Sequence, residues 1–217
     1  MIKRVEKVTD KITLYNCDCM EYMKNIPDKY FDLCITDPPY GIDACNMTMG
    51  TGTNKKWSKG KKWDNNIPPK EYFDELFRVS KNQIVWGGNY FNLPSKRGWI
   101  FWDKGIDGDC SFADGELAWT SFDVVLRKAN IRYKGFFGKD KERIHPTQKP
   151  VKLYEWLLKN YAKPTDKILD THFGSCSIGI ACHNFGCSLD ACELDEEYFD
   201  NAFKRVRTHV RQLDLFK

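Results

Sequence analysis

Short apolar runs of strand length alternate with helical apolar stripes along almost all of this chain, and that alternation most constrains its fold. Ile12–Tyr15, Phe31–Ile35, Gln83–Trp86, Trp99–Trp102, Lys167–Leu169 and Ser188–Cys192 read as strands. Glu116–Arg127 predicts one long or two short strands, with the break near Ser121. A helix is predicted from about Asp18 to Asn25. Pro69 suits the start of another that runs through Arg78, with Tyr72, Phe73, Leu76 and Phe77 on one face. Residues 151–161 carry Val151, Tyr154, Leu157, Leu158 and Tyr161 as a helical stripe. Ser177–Phe185 ends at Gly186, a C-terminal stop signal, and Glu196 to about Arg211 repeats Phe199, Ala202, Phe203, Val206 and Val210. Strands in this order need helical crossovers, which predicts an α/β fold with a mainly parallel sheet and helices on both faces. No internal repeat or low-complexity linker interrupts the 217 residues, so a single domain over 1–217 is expected.

Composition narrows the class. Hydrophobic residues make up 41% of the chain and aromatics 14%, which is globular rather than disordered. No run of eighteen apolar residues occurs, so no membrane span is expected. The opening MIKRVEKVTDKITLY lacks a secretory signal, and a cytoplasmic location is the expectation. Nine cysteines form no CxxC pair, so reduced, mostly buried thiols are favoured over a metal cluster built on Cys182, His183, Cys187 and Cys192.

Net charge is only +4, yet it is concentrated. Residues 41–66 carry five lysines against Asp43 and Asp64, and residues 127–152 carry nine Lys/Arg against Asp140 and Glu142. The rest of the chain is therefore net acidic. Two basic segments on an acidic body suit a polyanion-binding face, although solvated charged loops give the same pattern. The first segment, rich in Gly, Thr, Asn and Lys, is too long for an ordinary connection and reads as a mobile basic loop.

Asp37-Pro38-Pro39-Tyr40 follows the Phe31 strand directly. Two prolines cannot continue a sheet, and their fixed φ angles hold the carbonyls of Asp37 and Pro38 beside a carboxylate and an aromatic ring. Such an array suits a flat ring bearing an amino group: the oxygens accept its N–H bonds while Tyr40 stacks on its face. A plain Pro-Pro turn is the simpler reading of the same residues.

A second constellation spans 168–195. A strand ends in Asp170, a tight loop holds Gly174 and Ser175, a helix opens near Ser177, and the next strand ends at Glu193. Gly174 allows close backbone approach, the helix start offers free N–H groups, and Glu193 is placed to accept from ribose hydroxyls. No GxGxxG or Gly-Lys-Ser/Thr phosphate loop is present, which favours S-adenosylmethionine over NAD or ATP. Between the two lies His145-Pro146-Thr147-Gln148-Lys149-Pro150, whose donors suit a carboxylate, while Thr147 and Pro150 read equally well as a helix cap.

Together these residues resemble the amino-group DNA methyltransferases of the permuted, or beta, order. The likeness runs from LYNCDCMEYMKNIPDKYFDLCITDPPYG through EYFDELFRVSKNQIVWGGNYF, WIFWDK, ELAWTSFD and RIHPTQKPVKLYEWLLKNY to ILDTHFGS and CELDEEY. It implies a Rossmann-like methyltransferase fold with circularly permuted motif order and S-adenosylmethionine as cofactor. It assigns Asp37, Pro38, Pro39 and Tyr40 to catalysis. Cofactor contacts are implied for Asp170, Phe173, Gly174, Ser175, Ser177 and Glu193, for Asp18 with its neighbour Cys19, and for Thr147, Gln148 and Lys149 near the methionine carboxylate. The family loop commonly reads D-P-F-x-G-S-G-T. Here His172 stands where Phe is usual and Cys176 replaces a glycine, so Cys176 either tolerates positive φ poorly or lies outside that region.

The implied activity is methyl transfer from S-adenosylmethionine to adenine N6 of a base flipped out of duplex DNA. Lys55, Lys56, Trp57, Lys59, Lys61 and Lys62 are expected to track phosphates, and a short segment at about 104–144 to read the target sequence. Duplex DNA is the expected partner, with or without a cognate restriction endonuclease, and monomer and homodimer both stay open. Cytosine N4 is the alternative acceptor. RNA and a protein glutamine amide fit less well, and a catalytically silent DNA-binding module is the reading from another class.

Overall fold

Alternate side chains of the central strands are buried on opposite faces of one sheet, which is why those strands read as continuous apolar runs. The computed structural model describes residues 2–43, 62–106, 113–133 and 144–214. Its elements are β1 (Arg4–Lys7), β2 (Ile12–Asn16), α1 (Cys19–Met23), β3 (Phe31–Thr36), α2 (Lys70–Val79), β4 (Ser80–Trp86), β5 (Trp99–Asp103), β6 (Gly115–Thr120), β7 (Arg127–Asn130), α3 (Val151–Tyr161), β8 (Lys167–Asp170), α4 (Ser177–Phe185), β9 (Ser188–Glu193) and α5 (Glu196–Asp214). A 3-10 turn covers Gly88–Tyr90.

The described strands form one sheet in the order β1-β2-β9-β8-β3-β4-β6-β5-β7. The block from β2 to β4 is parallel throughout, whereas β1, β6 and β5 bring antiparallel pairings to the flanks. Leu33, Ile35, Ile84, Trp86, Ile168 and Ala191 pack with α3, α4 and α5 on one face. Cys34, Val85, Leu169 and Cys192 pack with α1 and α2 on the other. Each fully buried Leu or Ile contributes roughly 1.5–3 kcal/mol, so the two layers together fix the register of the sheet.

Two strands differ from the sequence reading. β1 was not expected, because Arg-Val-Glu-Lys is largely exposed and carries the charges typical of an edge strand rather than an apolar pattern. The second half of the 116–127 segment is irregular, and β7 starts only at Arg127 to pair in parallel with β5. α1 is shorter than expected because Asp18 caps it, accepting the N–H of Met20, and Pro27 follows closely.

Candidate active site

The sheet brings the two sequence constellations together by pairing β3 with β8 in parallel, Leu33 opposite Ile168 and Cys34 opposite Leu169. Loops leaving the carboxyl ends of adjacent parallel strands share one crevice when the chain departs in opposite directions from them. Here β8 leads through α4 to β9 on one side, while β3 leads to β4 on the other. The Asp37 loop and the Asp170 loop therefore face each other, and Thr36 Oγ1 meets Thr171 Oγ1 at 2.7 Å just below them. β2 pairs with β9 so that Asn16 lies opposite Glu193, which carries Asp18 to the same rim.

The Asp37 loop is held from several directions. Asp64, buried, accepts the backbone N–H groups of Tyr40 at 2.7 Å and Gly41 at 3.0 Å. The Tyr40 hydroxyl donates to Asp37 Oδ1 at 2.5 Å. Its ring stacks on Tyr90, centroids 5.0 Å apart and 13° from parallel, and meets Phe91 edge-on. Gly87, in the left-handed region at φ +66, packs so closely that an added Cβ would lie 2.2 Å from the Tyr40 ring. One face of the Tyr40 ring is thus taken by Tyr90, which is itself half exposed.

A chain of charges runs behind Asp37. Lys149 Nζ lies 2.5 Å from Asp37 Oδ2 and 3.0 Å from Glu116 Oε2, and Lys104 Nζ lies 2.7 Å from Glu116 Oε1. Burial pushes the Asp37 carboxyl up, while Lys149 pulls against that shift. Burial also works to raise Glu116, but the Lys149 and Lys104 ammonium groups outweigh it and hold Glu116 at about 2. Lys149 is raised because Asp37 and Glu116 together exceed the effect of its burial. Sequence reasoning missed Glu116, Lys104 and Asp64 as site residues. Glu116 was the most visible of them, a lone carboxylate opening the apolar run of β6.

On the other side, Asp170 is 1% exposed and accepts the His172 N–H at 3.0 Å, and burial pushes its carboxyl up to about 8. Glu193 accepts from the N–H groups of Gly174 at 3.0 Å and Asp195 at 2.9 Å; burial raises it to about 7. Ser177 Oγ donates to the Lys149 carbonyl at 2.7 Å, and Arg205 donates to the Ser175 carbonyl at 2.8 Å. Phe173 is buried against Phe199. Asp18 is exposed at the rim and Cys19 is buried beneath it.

Thr147 does not cap α3: its Oγ1 lies 3.2 Å from His145 Nδ1, and Pro150 occupies the cap position. Gln148 Oε1 accepts the Ile144 N–H at 3.2 Å, and the Lys149 ammonium points to Asp37. His145 packs edge-on to Tyr198 and near Trp63, directly against Gly174. Cys176 does adopt the left-handed region, at φ 52, and is fully buried, so the departure from glycine is accommodated with strain rather than by a different loop. His172 lies against Tyr72 and the Thr171 hydroxyl, and burial lowers it to about 4, so it is neutral.

The residues present suit S-adenosylmethionine. Asp170 is a buried and Glu193 a part-buried carboxylate, both held high by desolvation, and a sulfonium or ammonium nearby compensates such groups. Gly174, at φ +48, leaves bare backbone beside Glu193. Among the expected DNA contacts, Lys62 is exposed, whereas Lys55, Lys56, Trp57, Lys59 and Lys61 lie outside the described residues, as do parts of the 104–144 segment. Among the described residues no group of His, Cys, Asp or Glu suits a metal ion, and no helix is long and apolar enough to cross a membrane.

Comparison with known proteins agrees with this geometry. The profile of a family described as DNA methylase, of the N6/N4 type, matches residues 85–204. The chain is 24% identical to the type II methyltransferase M.HinfI of Haemophilus influenzae, covering 93% of this chain and 70% of that protein. It is 23% identical to M.HpaI of Haemophilus parainfluenzae, over 91% and 74% of the two chains. In three dimensions it resembles the M1.HpyAVI–SAM complex, with a TM-score of 0.58, 21% identity and coverage of 89% and 99%. It resembles the cytosine-N4-specific PvuII DNA methyltransferase equally well, at 0.58 with 14% identity over 94% and 93%.

Proposed function

Because the chain belongs to the N6/N4 family of DNA methylases and depends on S-adenosylmethionine, we propose that it methylates adenine N6 in duplex DNA from a single domain of the beta motif order. The observation that carries this reading is the β3–β8 pairing, which sets the Asp37 loop against the Asp170 loop across some 130 residues of chain. Asp37 and the Pro38 carbonyl are the acceptors for the exocyclic amino protons. Tyr40 is the ring against which the base settles, with Tyr90 displaced or stacked outside it. S-adenosylmethionine supplies an electrophilic methyl group on a sulfonium.

The residues of the chain then do three things. Asp170, Phe173, Gly174, Ser175, Ser177 and Glu193, with Asp18 and Cys19 at the rim and Thr147 and Gln148 on the facing turn, bind and orient the donor. Asp37 and the Pro38 carbonyl draw the amino hydrogens out of the ring plane, so that the nitrogen lone pair is no longer delocalised into the ring and aligns with the methyl group. After transfer the nitrogen is cationic and acidic, so the proton leaves readily and Asp37 need not be a strong base. A base amine is reachable only once the base has left the stack, and the basic segment around Lys62 is placed in the sequence to hold phosphates during that step.

Cytosine N4 is the second reading, favoured by the equal structural likeness to a cytosine-N4-specific enzyme. Asp at position 37 supports adenine, since Ser often stands there in N4 enzymes of the resembled family. The type II naming of the relatives supports a cognate restriction endonuclease as partner. Modification profiling of DNA from cells that express the chain tests all of this together. N6-methyladenine in a fixed sequence context, lost in Asp37→Ala, is the expected result. N4-methylcytosine alone moves the assignment to the second reading, and marks retained at full level in Asp37→Ala overturn the role of the loop.

A further inference from the structure

Lys149 joins the two halves of the cleft through different atoms. Its ammonium lies 2.5 Å from Asp37 Oδ2 and 3.0 Å from Glu116 Oε2, and 3.3 Å from the Tyr40 hydroxyl. Its main-chain carbonyl accepts from Ser177 Oγ, at the first residue of α4. The side chain is 3% exposed, and Lys104 pins the far oxygen of Glu116. Lysine, glutamate, lysine and aspartate therefore alternate in sign along one line, 104–116–149–37, with Lys149 buried and the other three part-buried.

We propose that Lys149 is a positioning residue for the acceptor half of the site, locked by Glu116 and Lys104, and that it fixes the Asp37 carboxylate for the incoming amino group rather than serving the methionyl carboxylate of the cofactor. This rests on the reading of Asp37 as the acceptor of the amino protons. With Oδ1 engaged by Tyr40 and Oδ2 by Lys149, the carboxylate is held against rotation, and each oxygen keeps a second lone pair for a donor. The groups that face Asp37 are Lys149 on the turn before α3, Glu116 on β6, Tyr40 on its own loop, Asp170 at the end of β8 and Tyr154 on α3. Lys149 is the cation among these five. Removing it leaves Asp37 and Glu116 as part-buried carboxylates facing each other with Lys104 to balance them, and one of the two takes up a proton more readily. Asp37 is the candidate, because Lys104 still holds Glu116. The main-chain bond to Ser177 ties this lock to the helix that opens the cofactor loop.

The test compares Lys149→Met, Lys149→Arg, Glu116→Gln and Asp37→Ala. Three quantities are followed: the carbon-13 shift of the Asp37 carboxyl against pH in the cofactor-free protein, S-adenosylmethionine affinity by calorimetry, and the pH profile of kcat. Lys149→Met is expected to move the Asp37 titration up by about one pH unit or more and to lower kcat about 100-fold at neutral pH. Cofactor affinity changes by less than about threefold, and Lys149→Arg recovers part of kcat. Glu116→Gln, which frees Lys149 for Asp37 alone, moves the titration and the acid limb of kcat down. Loss of cofactor affinity of about tenfold in Lys149→Met with the Asp37 titration unmoved overturns the proposal and returns Lys149 to the cofactor. Should Lys149→Met fail to fold, an unmoved acid limb in Glu116→Gln overturns it equally. Full activity in Asp37→Ala instead defeats the underlying reading of Asp37, which separates the two failures.

Discussion

Replacing Asp170 by Asn should make the cofactor-free protein more stable, and increasingly so as pH rises. Asp170 is 1% exposed, lies near Asp37 and Glu193, and accepts the His172 N–H. Burial, opposed by that hydrogen bond, lifts it from 3.8 to about 8. An acid that holds its proton more tightly in the folded chain stabilises the fold at low pH and loses that contribution as pH climbs from about 4 towards 8. One proton's difference between folded and unfolded chains corresponds to about 1.4 kcal/mol per pH unit. Asn keeps an oxygen for the His172 N–H and carries no charge at any pH. Urea unfolding at intervals from pH 5 to pH 8 should therefore show wild type losing stability relative to Asp170→Asn with a slope approaching about 1.4 kcal/mol per unit. On the proposed placement of the donor beside Asp170, the same variant should bind S-adenosylmethionine more weakly, because it removes the carboxylate that would face the donor's positive charge. Parallel stability curves for the two proteins would refute the reasoning, since they would show that Asp170 titrates alike in both states.

Two further outcomes follow from the Tyr40 loop. Asp64→Ala leaves the N–H groups of Tyr40 and Gly41 without their carboxylate acceptor, a loss of about 1–3 kcal/mol that denaturant titration should detect, with a fall in kcat from the misplaced loop. Gly87→Ala adds a methyl 2.2 Å from the Tyr40 ring at a φ of +66. A fall in kcat of about tenfold or more is expected, with S-adenosylmethionine affinity by calorimetry unchanged; unaltered kcat would show that the ring need not keep its place.

The alternation of apolar runs and helical stripes was enough to read the central strands and all five helices, because both faces of a parallel block must be apolar and each crossover helix must carry a stripe. The edge strand at Arg4–Lys7 escaped because one exposed strand needs no hydrophobic pattern. At the site, DPPY and the Asp170–Glu193 segment stood out through unusual local chemistry, two prolines and a glycine loop. Asp64 and Glu116 did not, because a single carboxylate in a sequence carries no mark of the backbone N–H or ammonium it will meet.

The sequence by itself determined the α/β class, the two loop chemistries and their order along the chain, all of which depend on near neighbours. Only the tertiary structure decided that Lys149 turns to Asp37 and Glu116, that Tyr90 lies on Tyr40, and that Cys176 is held in the left-handed region. Those contacts join residues on different strands and helices. Burial in the folded core sets the charge of each group there, and no local pattern can encode that environment.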